Sequence, residues 1–224
     1  MIQGRSRKVF TPEGASQTQG FRRFSFARLN ADGTIDPLYD PSVNGQVTAI
    51  AVQSDGKAVI GGVFTSLQSQ DPTIRDLPRR NRIARFNTDG TLDESYDPNA
   101  NESIISMAIQ DDDKVVIGGT FTSLQPNGAA DWTLRKYAAR LNTDGTVDSS
   151  FDLDLGEQSG NRVDSIRLQS DGRLFVGGSF VSLQPIGTPE RIQQKYFVRL
   201  TTSGTLDPSF AVEAGGSTGG VIKA

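Results

Sequence analysis

Apolar positions along this chain fall into short runs bounded by turn residues. Val47 to Gln53 is apolar on both faces and ends in Ser54-Asp55-Gly56-Lys57. Ala58 to Leu67 follows, also apolar, with small residues interspersed. After a polar stretch come Arg82 to Asn87 and then Thr91 to Tyr96, separated by Thr88-Asp89-Gly90. Runs of this length, rich in Val, Ile, Phe and Thr and joined by Asp-Gly pairs, predict four β-strands, a to d, linked in hairpins. Residues apolar on both sides suit a strand sandwiched between neighbouring sheets. No helical period of useful length appears, and Arg191 to Tyr196 is too short to define one.

The same four-strand unit recurs. Arg85-Phe86-Asn87-Thr88-Asp89-Gly90-Thr91-Leu92-Asp93 has counterparts beginning at Arg28, Arg140 and Arg199, at steps of 57, 55 and 59 residues. Val59 to Gln68, with its Gly61-Gly62 pair, returns as Val116 to Gln125 and Phe175 to Gln184. Val47 to Gln53 returns as Ile104 to Gln110 and Val163 to Gln169. Four-stranded units repeated every 57 residues or so predict an all-β protein, a β-propeller of about four four-stranded blades. The chain reads as a single domain over residues 1–224, with units at about 1–46 plus 221–224, 47–103, 104–162 and 163–220. Val221 lies 58 residues after Val163, where another strand a is due. The expectation is a ring closed by pairing Val221 to Ala224 with the strand containing Val9 and Phe10, which protects the edges. Passage of that tail to a second copy is the rival.

Three motifs in fixed order carry a resemblance: Gly-Gly-x-Phe-Thr at Gly61 to Thr65, the Arg-Leu-Asn-x-Asp-Gly-Thr-x-Asp pattern, and an apolar strand ending Gln53-Ser54-Asp55-Gly56-Lys57. Together they resemble the bacterial delta-60 repeat over nearly the whole chain. Residues 1–20 depart from it, with Arg7-Lys8 in place of the glycine pair. The resemblance implies a propeller fold and modular or surface proteins, and it brings no catalytic residues.

Composition narrows the chemistry. The chain has no Cys, so it has neither disulfides nor thiolate metal sites, and no His, the commonest general base and metal ligand. A net charge of −3 gives no reason to expect nucleic-acid binding. No apolar run approaches a membrane-spanning length, so no membrane insertion is expected. The basic start, Met1 to Lys8, lacks the apolar segment of a signal peptide. Localisation stays open, with a cell surface or a virion as the settings considered.

Asn30-x-Asp32-Gly33-x-x-Asp36 and its copies have some of the oxygen spacing of a calcium loop but lack a bidentate carboxylate further on, so a three-residue hairpin loop with a left-handed Gly is the expectation. The glycine pairs 61/62, 118/119 and 177/178 have no following Lys-Ser or Lys-Thr and no helix. They read as a bulge or a close strand approach, not a phosphate loop. Asp111-Asp112-Asp113 and Asp152-Leu153-Asp154 are the densest carboxylate clusters, and both read as solvated turns. No catalytic residue, metal site or cofactor is expected.

Connectivity separates two faces. Turns a–b and c–d, short and Asp-rich, share one; the long b–c loops, 69–81, 126–136 and 185–195, share the other. These loops carry Arg75, Arg79, Arg80, Trp132, Arg135, Lys136, Arg191 and Lys195, the candidate partner-binding residues. Within each c–d hairpin an Arg faces an Asp eight residues on, at Arg28/Asp36, Arg85/Asp93, Arg140/Asp148 and Arg199/Asp207, and these pairs are expected to fix strand register. The functional expectation is a non-enzymatic structural or protein-docking module, part of a larger bacterial or phage assembly such as a virion or tail, with other proteins as partners and self-association open. A carbohydrate-binding or adhesive surface module is the alternative, and a hydrolase in the axial channel a third.

Overall fold

The computed structural model describes residues 26–37, 39, 42–68 and 78–210. The described chain is all-β apart from one 3-10 turn at Pro126–Gly128. Its strands, in chain order, are β1 (Ser42–Val43), β2 (Val47–Val52), β3 (Ala58–Gly62), β4 (Leu67–Gln68), β5 (Ile83–Phe86), β6 (Ile104–Ile109), β7 (Val115–Gly119), β8 (Ser123–Leu124), β9 (Thr133–Leu134), β10 (Ala138–Leu141), β11 (Arg162–Leu168), β12 (Leu174–Ser179), β13 (Ser182–Leu183), β14 (Ile192–Gln193) and β15 (Phe197–Leu200). They form three antiparallel three-stranded sheets, β2-β3-β5, β6-β7-β10 and β11-β12-β15, and three small two-stranded ones, β1-β4, β8-β9 and β13-β14.

The three larger sheets stack in chain order: β6 lies against β2 and β3, and β11 against β6 and β7. Between sheets, Val59 and Ile83 pack with Ile104 and Met107, and Val116 and Ala138 with Val163 and Ile166. The middle strand a, β6, is therefore covered on two sides, which explains its two apolar faces. On β2, the positions matching Met107 and Ile109, namely Ile50 and Val52, are more than half exposed.

The glycine pair has a specific cause. Strand a carries an irregularity opposite it, between Val47 and Ala49, between Ile104 and Ser106, and between Val163 and Ser165. The bulge presses a strand-a carbonyl onto the second glycine. A Cβ on Gly62, Gly119 or Gly178 would sit 2.0–2.1 Å from the carbonyl oxygen of Gln46, Ser103 or Arg162. The first glycine admits the next unit instead: a Cβ on Gly61 would meet Ile104 at 2.6 Å, and one on Gly118 would meet Val163 at 2.4 Å.

Strands b and d differ from the sequence expectation. Strand b breaks after its glycine pair and resumes only as β4, β8 and β13. Strand d is reduced to one bridge per unit, Leu29 with Ile35, Phe86 with Leu92, Leu141 with Val147 and Leu200 with Leu206. The chain turns immediately after that bridge, because Asp93 accepts hydrogen bonds from the amide and hydroxyl of Ser95, and Asp148 and Asp207 do the same with Ser150 and Ser209. The aromatic that ends each strand-d motif, Tyr39, Tyr96 or Phe151, then packs under the next unit, where a Cβ on Gly90, Gly145 or Gly204 would touch it. The strands expected to close a ring, around Val9 and Phe10 and at Val221 to Ala224, lie outside the described residues.

Candidate functional site

The tight-turn face is built from the repeated hairpin. In the c–d turn, Gly90 takes a left-handed φ of 88° and donates its N–H to the Asn87 carbonyl. Asp89 Oδ1 accepts from both the amide and the hydroxyl of Thr91. Asp32 and Asp144 are engaged in the same way by Thr34 and Thr146. Those hydrogen bonds hold all three carboxyls below their ordinary pKa. Oxygens committed to the turn suit a hairpin loop better than a calcium shell. Among the described residues no cluster of acidic side chains is arranged to hold a metal ion.

At the base of each hairpin the guanidinium meets the carboxylate, at 2.7 Å for Arg28 and Asp36, 2.9 Å for Arg85 and Asp93, 2.9 Å for Arg140 and Asp148, and 2.8 Å for Arg199 and Asp207. A second cation from the a–b turn joins Asp93, Asp148 and Asp207: Lys57 lies 3.0 Å from Asp93, Lys114 3.0 Å from Asp148, and Arg173 3.4 Å from Asp207. Each Arg also lies over an aromatic ring, Tyr39, Tyr96, Phe151 or Phe210, at 4.0–5.1 Å. Burial alone would raise the carboxyls of Asp93 and Asp148. The serine, lysine and arginine donors outweigh it and hold both well below the usual carboxylate range.

The same Arg ties each unit to the next. Arg28 donates to the Thr88 carbonyl, Arg85 to the Thr143 carbonyl at 2.5 Å, and Arg140 to the Thr202 carbonyl at 3.1 Å. Gln53 and Gln110 stand beside this link: each accepts from its unit's Arg and donates to a backbone carbonyl of the following unit, Asp113 or Thr202. Asp113 takes the left-handed turn position held elsewhere by Gly56 and Gly172, and its carboxylate accepts from the amide and hydroxyl of Ser54. An open groove of about 360 Å³ remains on this face among Gln110, Asp111, Asp112, Lys114, Arg140 and Thr202. Its cations are already paired, Lys114 with Asp112 and Asp148 and Arg140 with Asp148.

The long-loop face is different. The last two b–c loops fold back as the hairpins β8-β9 and β13-β14. Four of the eight candidate partner-binding residues turn onto the chain itself. Arg80 is buried and donates to the Arg79 and Glu94 carbonyls. Arg135 donates to the Phe151 and Leu134 carbonyls and pairs with Asp152 at 3.3 Å. Lys136 bridges Glu157 and Asp154, at 2.9 and 3.2 Å, and these partners raise its pKa. Arg191 pairs with Asp154 at 2.6 Å. The Asp152-Leu153-Asp154 cluster is thus the anchor of these loops. Arg75 lies outside the described residues. Arg79, Trp132 and Lys195 are exposed, and the last two loops also expose apolar side chains that the sequence did not single out: Leu134, Ile186 and Ile192.

Residues 14–39, 77–96, 110–151 and 169–210, more than half of the chain, match the model of a domain of unknown function described as the DUF5122 beta-propeller. The chain belongs to the DUF5122 β-propeller family. The last three matched segments each span a hairpin with the Arg-Asp pair, its serine and the aromatic beneath it. Among solved structures the chain is similar to a crystal structure of a protein of unknown function from Bacteroides caccae. The two are 10% identical, the match covers 80% of this chain and 87% of the other, and the TM-score is 0.23, too low to bear on the fold. A comparison with curated proteins finds no match.

Proposed function

We propose that this DUF5122 chain is a non-enzymatic structural module, a propeller of about four delta-60-type blades that holds another protein on its long-loop face. The single observation that carries this reading is the contrast between the faces. On the tight-turn face the cations Arg28, Lys57, Arg85, Lys114, Arg140, Arg173 and Arg199 are all paired within the chain. On the long-loop face, Trp132, Leu134, Ile186 and Ile192 are 36–58% exposed on hairpins anchored through Asp152 and Asp154. An exposed Trp together with exposed aliphatic side chains on neighbouring hairpin loops is the composition of a protein-docking anchor. A sugar-binding role has less support, because Trp132 is the one strongly exposed aromatic among the described residues, where stacking on sugars favours several. The surrounding assembly is read as bacterial or phage, in keeping with the delta-60 resemblance.

The test is the double variant Trp132→Ala with Leu134→Ser. Both side chains project into solvent, so thermal stability is expected to stay within a few degrees of wild type. Retention of the variant in the assembly isolated from its source should fall at least tenfold, about 1.4 kcal/mol. Equal retention of variant and wild type would overturn the reading.

A further inference from the structure

The last two b–c loops reverse, once folded, the charge they carry in sequence. Residues 126–136 and 185–195 hold the cations Arg135, Lys136, Arg191 and Lys195 against two acids, Asp131 and Glu190. Three of the cations turn inward. Arg135 reaches Asp152 at 3.3 Å, Lys136 reaches Asp154 at 3.2 Å and Glu157 at 2.9 Å, and Arg191 reaches Asp154 at 2.6 Å. The carboxylates of Asp152, Asp154 and Glu157 thus offset these cations one for one. The charges of the two loops that remain exposed are Asp131, Glu190 and Lys195, so a surface that reads as basic presents an acidic excess. Glu157 extends that edge, since its side chain is 81% exposed while that of Lys136 is 15% exposed.

Both hairpins stand on one strip of chain, residues 151–154. Arg135 donates to the Phe151 carbonyl, Ile186 N–H to the Asp152 carbonyl at 2.9 Å, and Gln184 N–H to the Leu153 carbonyl at 2.9 Å. Asp154 holds Lys136 of one hairpin and Arg191 of the other. The apolar side chains exposed above this anchor are Trp132 and Leu134 on the first, and Ile186 and Ile192 on the second. Asp131 directly precedes Trp132, and Glu190 comes two residues before Ile192. Arg79 is exposed in the first b–c loop, which has a different anchor: Arg80 donates to the Glu94 carbonyl and lies 3.6 Å from Asp97.

We propose that the partner held on these two hairpins presents an apolar patch rimmed by Lys or Arg. The proposal rests on the docking reading of the long-loop face and adds the partner's chemistry to it. Trp132, Leu134, Ile186 and Ile192 supply the area to be covered, and the outward carboxylates select the sign of the rim. Opposite charges across an interface steer and orient the encounter, and like charges there suppress the wrong partner. Nucleic-acid phosphates and acidic lipid headgroups meet the same repulsion as an acidic protein.

The experiment uses the single Trp of the chain, Trp132, as the reporter of this face. Its emission is followed while the protein is titrated with two amphipathic peptides of equal leucine content, one with lysine and one with glutamate as its polar residues. The lysine peptide is expected to shift the emission saturably, with a dissociation constant about tenfold below that of the glutamate peptide at low salt. Added salt should shrink the difference. In the double variant Asp131→Lys with Glu190→Lys the preference should vanish or reverse, with the melting temperature unchanged because both positions are exposed. Equal binding of the two peptides, tighter binding of the glutamate peptide, or no binding of either would overturn the proposal. So would a lysine preference that survives the charge reversal, which would place the cationic peptide elsewhere on the chain. None of these outcomes bears on retention of the Trp132→Ala, Leu134→Ser variant in the native assembly, so the partner's charge and the docking reading fail separately.

Discussion

Gly119→Ala is expected to leave the chain unfolded, or melting many degrees lower, under conditions where wild type is folded. The added methyl would lie 2.0 Å from the Ser103 carbonyl oxygen and 3.0 Å from Ile104 Cα. Both are backbone atoms, so no rotamer change relieves the clash. Relief requires strand β6 to leave β7 or to lose its bulge, and β6 carries Ile104 and Met107 into the core between units. Overpacking a core with side chains costs about 1–3 kcal/mol. A backbone collision at the centre of the sheet stack lies above that range, against a total stability of about 5–15 kcal/mol. Circular dichroism melts decide it: a variant melting within a few degrees of wild type would contradict the account of the glycine pair.

Asp148→Asn carries the second large effect. It removes the anion between Arg140 and Lys114, where the Asp148 side chain is 9% exposed and that of Arg140 6%. Breaking a buried pair from one side costs about 3–5 kcal/mol, because the remaining charges stay desolvated. The pH dependence has a definite sign. The folded carboxyl lies below its ordinary value, so its contribution is fully present above the unfolded pKa, about 3.9, and is lost as pH falls below it through the folded value. Wild type should therefore lose stability steeply below about pH 4. Asp148→Asn should start lower at pH 7 and fall less steeply in acid, while Asp93 and Asp207 keep part of the slope. Urea midpoints from pH 7 to acid measure both. Parallel acid limbs for variant and wild type would contradict the role given to Asp148.

Much of the fold was legible because the repeat states its contacts several times. The Arg-to-Asp spacing of eight predicts facing residues across a three-residue loop, and the bridges Phe86–Leu92 and Leu141–Val147 show that register. Strand d falls short of the sequence expectation because Thr91 to Tyr96 has the residue types of a strand, whereas Asp93 and Ser95 form a turn that stops it. That turn was available in the sequence as a recurring Ser two residues after the Asp, at Ser95, Ser150 and Ser209. The candidate binding residues were harder to judge. Charge on a loop does not say where the charge is spent, and Arg80, Arg135, Lys136 and Arg191 are spent on local carbonyls and carboxylates. The exposure of Leu134 and Ile192 depends on the β8-β9 and β13-β14 pairings, each only two residues long and without a periodic signature. The cations beside the Asp residues, Lys57, Lys114 and Arg173, escaped notice because they come from the neighbouring hairpin.

The central claim is that the long-loop face holds a protein partner while the tight-turn face only knits the units together. Amide hydrogen exchange, compared between the purified chain and the chain within its native assembly, tests it most directly. The account predicts slower exchange in residues 126–136 and 185–195 on assembly, with the turns at 54–57, 88–90, 143–145 and 202–204 unchanged. Slower exchange confined to those tight turns, or no change on either face, would contradict it.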